Sequence, residues 1–274
     1  MNELKRGEFF GTHNQKLDFE EFTITDTEYT HEKVDWHFHE NPYFTYLLQG
    51  KLFEASKKAE HYLESGSLLF HNWQDAHHNV KPKDYTRGFH IEFNKKWFLK
   101  HDIPSLDFEG SLNLKNPLIK NLMNQVFLET KINDNQSQLS IELLMIDIFN
   151  KINVQEANSA IKIPAWVKKT QEILLETDTN YTLDLLSKEL GIHAVHFSRE
   201  FHRYFGSTFG HYVRQLKLNK AIALISSNQY SMTDICYKCG FFDQSHFTSA
   251  FKQIYKMSPS RFNLKLKNVK NIQL

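Results

Sequence analysis

A chain that repeats one of its own segments must solve the same packing problem twice, and that limits its folds severely. In this 274-residue chain, residues 183–201 read LDLLSKELGIHAVHFSREF and residues 232–251 read MTDICYKCGFFDQSHFTSAF. Leu183, Leu186, Leu190 and Gly191 match Met232, Ile235, Cys239 and Gly240 at an offset of 49. His196, Phe197 and Phe201 match His246, Phe247 and Phe251 at an offset of 50, so the turn has gained one residue. Each copy has an apolar i, i+3, i+7 stripe, then a glycine where a helix end takes a left-handed residue. A short turn follows, and a second helix buries its phenylalanines at i and i+4. This is helix-turn-helix architecture.

The second helix of each copy keeps an outer face free. In the first copy it carries Val195, Ser198, Arg199 and His202; in the second Gln244, Ser245, Thr248, Ser249 and Lys252. These are hydrogen-bonding, cationic and methyl-contacting groups, the types that read base edges. A single such face is most simply a solvated one; two in register favour DNA. Between the copies, Thr208 is a plausible N-cap and residues 209–227 form a helix of about 28 Å. Successive major grooves on one face of DNA lie roughly 34 Å apart. Arg214, Lys217 and Lys220 on this rod are either phosphate contacts or solvated.

Charge divides the chain. Residues 1–163 hold 18 basic and 24 acidic residues, a net −6; residues 164–274 hold 15 and 8, a net +7. The basic half suits a polyanion. The two cysteines, Cys236 and Cys239, lie i, i+3 within the apolar stripe and are expected in the core, since no second pair exists to complete a four-ligand zinc site. Up to about Phe93 the pattern is of short strands, with a hairpin at Gly50 and a turn at Gly66. Helices follow: 116–132, with Asn116 as N-cap and Pro117 at the first helical position, and 137–152, with a stripe of Leu139, Leu143, Ile146 and Phe149. This second helix reads either as packing on the strands or as a dimer interface. No apolar h-region opens the chain and no run approaches the roughly 20 residues of a membrane helix, so a cytoplasmic protein, nucleoid-associated when on DNA, is expected.

GIHAVHFSREFHRYFG, YVRQLKLNKAIALI and GFFDQSHFTSAFKQIYKMSPSRF strongly resemble the DNA-binding domain of the AraC/XylS family of bacterial transcription regulators. The resemblance covers about residues 165–263. It implies seven helices, two helix-turn-helix units on one DNA face, and base contacts from Val195, Ser198, Arg199, Gln244, Ser245, Thr248 and Ser249. The family often has arginine at Ser249, so reading of the second groove is expected to be weaker or water-mediated. It usually has glycine where Lys256 precedes M-S-P, and a left-handed lysine there costs about 1–2 kcal/mol. The front half resembles the cupin-like sensor domain common in this family: His37-x-His39 and Gly50 fit the first cupin motif, and GSLLFHNWQDAH, ending on His77, the second. The glutamate of metal-binding cupins is replaced by Tyr43, and P-x-G by Asn72-Trp73-Gln74.

The resemblance thus implies an α+β protein. Residues 1–155 form a cupin-like β-barrel with trailing helices that senses or dimerises, 156–163 a linker, and 164–274 an AraC-type DNA-binding domain. The expected function is a sequence-specific transcription regulator, not an enzyme. Its partners are double-stranded DNA with adjacent major-groove half-sites, a second copy of the chain, a small-molecule effector and, among those the reading admits, RNA polymerase. The effector pocket is expected at His37, His39, Tyr43, Tyr46 and His77, with no cofactor and no assigned metal, although His37, His39 and His77 are of ligand type. The alternatives are a metal-dependent cupin enzyme fused to the DNA-binding domain, and a regulator without effector.

Overall fold

The structure is a computed structural model. It describes residues 1–103, 110–159, 163–176 and 181–267, the side chains of 154–159 and 176 excepted. The front half carries β1 (Asn2–Leu4), β2 (Thr12–Asp18), β3 (Phe22–Glu28), β4 (Lys33–His39), β5 (Tyr43–Gln49) and β6 (Lys51–Ser56). It continues with β7 (Glu60–Glu64), β8 (Leu68–His71), β9 (His77–Val80), β10 (Arg87–Phe93), α1 (Lys95–Lys100) and β11 (Ser111–Asn113). The strands form two sheets, ordered β1-β4-β9-β6-β7 and β11-β8-β5-β10-β3-β2, rather than one closed barrel. Every pairing is antiparallel except β1 with β4. Gly50 turns the β5–β6 hairpin at φ 87°, and a Cβ there would sit 2.4 Å from the Tyr85 carbonyl oxygen, so only glycine fits.

The outer face of the six-stranded sheet is covered by α2 (Pro117–Ile132) and α3 (Ser137–Ser159). Asn116 caps α2, its side chain accepting from the Leu118 N–H, with Pro117 first in the helix. Phe44, Phe70, Phe93 and Trp97 converge edge-on or tilted around Phe149 of α3. The stripe expected on α3 is rotated. Ile141, Met145, Ile148, Phe149 and Ile152 are buried, whereas Leu139 and Leu143 are exposed at 62% and 59%. The segment is apolar on most sides, so periodicity alone did not select a face. The backbone of α3 runs on through Ser159, into the segment read as linker, and residues 160–162 of that segment lie outside the described residues.

The back half holds seven helices among the described residues: α4 (Ala165–Glu176), α5 (Leu183–Glu189), α6 (Ala194–Phe205), α7 (Phe209–Ser227), α8 (Met232–Lys238), α9 (Gln244–Tyr255) and α10 (Pro259–Lys267). They divide between two cores. Val167, Leu186, Phe197, Phe201 and Phe205 close one with Phe209 and Tyr212 from the start of α7. Leu218, Ala221, Ile222 and Ile225, further along α7, join Ile235, Cys236, Cys239, Phe247, Phe251 and Phe262 in the other. That second core is continuous with the core of the front half. Both cysteines are buried and unbridged within it.

A buried polar seam runs through this junction. The Tyr46 hydroxyl of β5 donates to Asn124 Oδ1 on α2 at 2.7 Å. Asn124 Nδ2 donates to Asn219 Oδ1 on α7 at 3.3 Å, and Asn219 Nδ2 to the Pro117 carbonyl at 3.1 Å. The Tyr255 hydroxyl at the end of α9 donates to Asn121 Oδ1. Away from water each of these groups costs free energy unless paired, so the pairing fixes how α7 and α9 sit on α2.

An ion cluster ties the same junction at its other end. Asp26 of β3 accepts two hydrogen bonds from Arg87, at 2.7 and 2.6 Å, and one from Lys131 Nζ at 2.7 Å. Arg87 also donates to the Leu266 carbonyl of α10 at 3.3 Å. Burial alone pushes the Asp26 carboxyl up, but the hydrogen bonds and charges of Arg87 and Lys131 outweigh it and hold it below its ordinary value. Removing one partner of a buried ion pair strands the other charge. Asp26→Asn is therefore expected to destabilise the chain by about 3–5 kcal/mol, read from urea unfolding of the purified protein.

Candidate nucleic-acid interface and candidate ligand pocket

The two helix-turn-helix units are built alike. Thr182 and Ser231 cap α5 and α8, and Ser231 forms a capping box with Asp234. Gly191 and Gly240 follow at φ 65° and 70°. His193 and Asp243 then cap α6 and α9, their side chains accepting from Val195 N–H and His246 N–H. Phe197, Phe201 and Phe205 face inward on α6, as do Phe247, Phe251 and Tyr255 on α9. The repeat extends further than its sequence motif. Tyr212 in α7 and Phe262 in α10 occupy equivalent buried places, and Gly206 and Lys256 equivalent left-handed ones at φ 71° and 55°.

Val195, Ser198, Arg199 and His202 are all exposed on α6. Gln244, Ser245, Ser249 and Lys252 are exposed on α9, and Thr248 is half-buried. The Arg199 side chain is 76% exposed and lies 3.6 Å from Glu200, an exposed pair of little energetic weight. The Gln244 amide donates to the Thr233 hydroxyl, so part of its donor capacity is used within the unit. Both units hang on α7, whose 19 residues span about 28 Å. Lys217 has a partner within the protein. Its ammonium donates to the Gly240 carbonyl at 2.7 Å, at the C-terminal end of α8, so the half-buried side chain is partly engaged within the second unit.

The front half encloses a small cavity of about 40 Å³ between its sheets. That is room for about three waters. His37, His39, Tyr43 and His77 line it, together with Glu54 and His90. Tyr46 does not. Side chains alternate along a strand, so Tyr43 and Thr45 of β5 face the cavity while Tyr46 faces the seam. Phe9 covers the cavity, stacked on His90 at 3.8 Å between ring centres, and Phe10 stands edge-on to His37.

The order of the histidines comes from cross-strand register. His37 pairs with His77 across β4 and β9, and Tyr43 with His71 across β5 and β8. His37 Nδ1 donates to the Asp35 carbonyl at 2.9 Å and His77 Nδ1 to the Asp75 carbonyl at 2.8 Å. The other nitrogen of His77 therefore accepts, and the Tyr43 hydroxyl donates to it at 3.1 Å. Nitrogens of His37, His39 and His77 lie within 4.8 Å of one another, and so do ligand atoms of Glu54, His71 and His77. Burial pushes His71 and His90 down to about 3 and lowers His37, His39 and His77. Burial likewise pushes the Glu54 carboxyl up to about 8. The imidazoles of the wall are therefore neutral at neutral pH, and Lys81 stands among them in the lining. Glu54, His71 and Asp75 were not singled out by their sequence. The available signal was an acidic residue at an inward position of β6, visible only once the register is known.

A larger cleft, about 390 Å³, lies between α2–α3 and α9–α10. Leu128, Ile132, Leu144, Ile254 and Met257 line it, with Arg261 among its polar groups. No helix among the described residues is long and apolar enough to cross a membrane.

Residues 186–265 match a family model described as a helix-turn-helix domain. The transcriptional activator RhaS of Escherichia coli (strain SMS-3-5 / SECEC) is 30% identical over 149 residues, 52% of this chain and 51% of that protein. The chain thus spans about half the length of the curated relatives it matches. Among solved structures, ToxT from Vibrio cholerae is similar at a TM-score of 0.38 and 14% identity, covering 91% of this chain and 100% of that one. The C-terminal domain of the response regulator yesN from Fusobacterium nucleatum is similar at a TM-score of 0.34 and 28% identity, covering 35% of this chain and 95% of that one.

Lys256 holds the strained left-handed position that Gly206 fills in the first unit. Lys256→Gly removes the steric cost but loosens the unfolded chain, so a net gain of about 0.5–1 kcal/mol is expected. The midpoint of urea unfolding checks it.

Proposed function

We propose that this chain, whose C-terminal half is a double helix-turn-helix domain of the AraC/XylS type, is a sequence-specific transcription regulator that places α6 and α9 in adjacent major grooves of double-stranded DNA. The observation that carries this reading is the pair of helices with exposed polar faces, built to one plan and joined by one rod. Val195, Ser198, Arg199 and His202 contact the first groove; Gln244, Ser245, Thr248, Ser249 and Lys252 the second. Arg199 is the principal reader, because its fork matches two acceptors of one guanine. The relation to RhaS, an activator by name, supports transcriptional control in general.

In this reading the front half senses and pairs. The exposed Leu139 and Leu143 of α3 support a homodimer formed there. The histidine pocket, lined by His37, His39, Tyr43 and His77 with neutral imidazoles, suits a small polar effector, and Phe9 and Phe10 must move to admit anything larger than a few waters. The volume of the cleft between α2–α3 and α9–α10 favours a second reading, in which the effector binds at the junction itself. Either ligand acts through different affinities for two arrangements of the halves.

In vitro selection with the purified full chain at physiological salt tests the reading. Enrichment of a motif spanning two adjacent major grooves is expected; no enrichment over random DNA would sink it. On the selected site, Arg199→Ala is expected to cost about 1–3 kcal/mol of binding and relax the preference at one position. Titration by fluorescence anisotropy checks both.

A further inference from the structure

Glu54, His71 and His77 form a buried, pre-oriented group that the regulatory reading does not use. We propose that they bind one borderline divalent transition-metal ion, of which zinc is the type. Each offers a ligand atom, and the three atoms lie within 4.8 Å of one another. All three residues are at most 2% exposed. Which atoms face the ion follows from the hydrogen bonds. His77 Nδ1 is taken by the Asp75 carbonyl, so Nε2 is the ligand atom and the metal takes the place of the Tyr43 hydroxyl proton that it accepts without metal. Glu54 Oε2 accepts from the Asn79 amide at 3.2 Å, which leaves Oε1. That oxygen is 3.5 Å from His71 Nε2. At zinc bond lengths of about 2.0–2.1 Å, tetrahedral ligand atoms sit about 3.4 Å apart, so this edge already has the spacing required. The remaining edges close by small imidazole movements.

A second observation points the same way. Neither nitrogen of His71 has a hydrogen-bond partner, although the side chain is 0% exposed. An imidazole unsatisfied on both sides is costly in a dry interior. With a metal on Nε2, its Nδ1–H turns to the Asp75 carboxylate, now 3.4 Å away and itself unsatisfied at Oδ2. Asp75 would then support both histidines, His71 through its carboxylate and His77 through its carbonyl. This is the outer shell that metal-bound imidazoles usually carry. The Tyr43 hydroxyl, 3.1 Å from His77 Nε2 and released from it by the metal, is near enough to serve as the fourth ligand or as a donor to bound water.

His77 also belongs to the trio with His37 and His39, and its one available nitrogen serves a single ion. Charge decides between the sets. Three neutral imidazoles leave a buried dication uncompensated, whereas Glu54, releasing its proton as the metal binds, supplies an anionic ligand and Asp75 a second carboxylate behind it. The donor set, two imidazoles and one carboxylate, suits zinc, cobalt, nickel or ferrous ions over magnesium or calcium. This inference does not depend on the chain binding DNA.

The test is titration of the untagged, chelator-treated full chain with Co2+, followed by its visible absorption, then displacement by Zn2+. One Co2+ per chain with four-coordinate absorption is expected, as is a rise in the unfolding temperature with Zn2+. Glu54→Gln, close in shape, is expected to weaken Co2+ binding by about 100-fold, and Asp75→Asn by about 10- to 100-fold. Unfolding of the metal-free variants verifies that they fold. His39→Ala is expected to leave affinity within about threefold, since it lies outside this ligand set. Absence of Co2+ binding in the micromolar range would overturn the proposal. So would a Glu54→Gln variant of unchanged affinity, or abolition of binding by His39→Ala, which would move the ion to the three histidines.

Discussion

Helix α7 belongs to two hydrophobic cores at once, and most of the molecule's geometry follows from that. Its first turns, through Phe209 and Tyr212, close the core of the first helix-turn-helix unit. Its later turns, through Leu218, Ala221, Ile222 and Ile225, enter a core shared by the second unit and the front half. A helix gripped on several sides has no single apolar stripe, and α7 accordingly reads as diffusely hydrophobic. The Asn124–Asn219 and Tyr255–Asn121 hydrogen bonds then fix its register against α2. Apolar contacts alone would tolerate sliding by a fraction of a turn. Paired amides in a dry interface do not, because each displaced group loses its partner.

The division of the back half into two cores was only half legible in the sequence. The repeat could be read because both copies bury the same residue types at the same spacing, and helix spacing is local. The cap at Thr208 was similarly local, set by one side chain and an N–H three residues on. That the second core merges with the front half was not legible. It depends on Tyr46, Asn121, Asn124, Asn219 and Tyr255 meeting from separations of up to 134 residues, and none of them stands out in its own segment.

The pocket shows the same limit in β form. His37, His39 and His77 could be noticed because two stand in one short motif and all are unusual residues. Tyr46 was grouped with Tyr43 by proximity along β5, yet strand alternation puts an odd separation on opposite faces. Glu54, His71 and Asp75 come from β6, β8 and the loop before β9. The pairings of Tyr43 with His71, of His37 with His77 and of Glu54 with Asn79 bring them to one place. The α3 helix failed for the converse reason. With apolar residues on nearly every side, the face that Phe149 commits to the core was decided by the sheet it meets.

The unequal anchoring of the two units makes α7 a lever. Its fulcrum is the amide seam near Asn219, and its free arm carries α6. Over the arm of about 15 Å from Asn219 back to Phe209, a tilt of about 5° displaces the far end by about 1.3 Å. One base-pair step along DNA is about 3.4 Å. A change at the seam too small to disturb the packing of α9 would therefore move α6 by about a third of a base-pair step. The second unit acts as the fixed jaw of a caliper and the first as the sliding one.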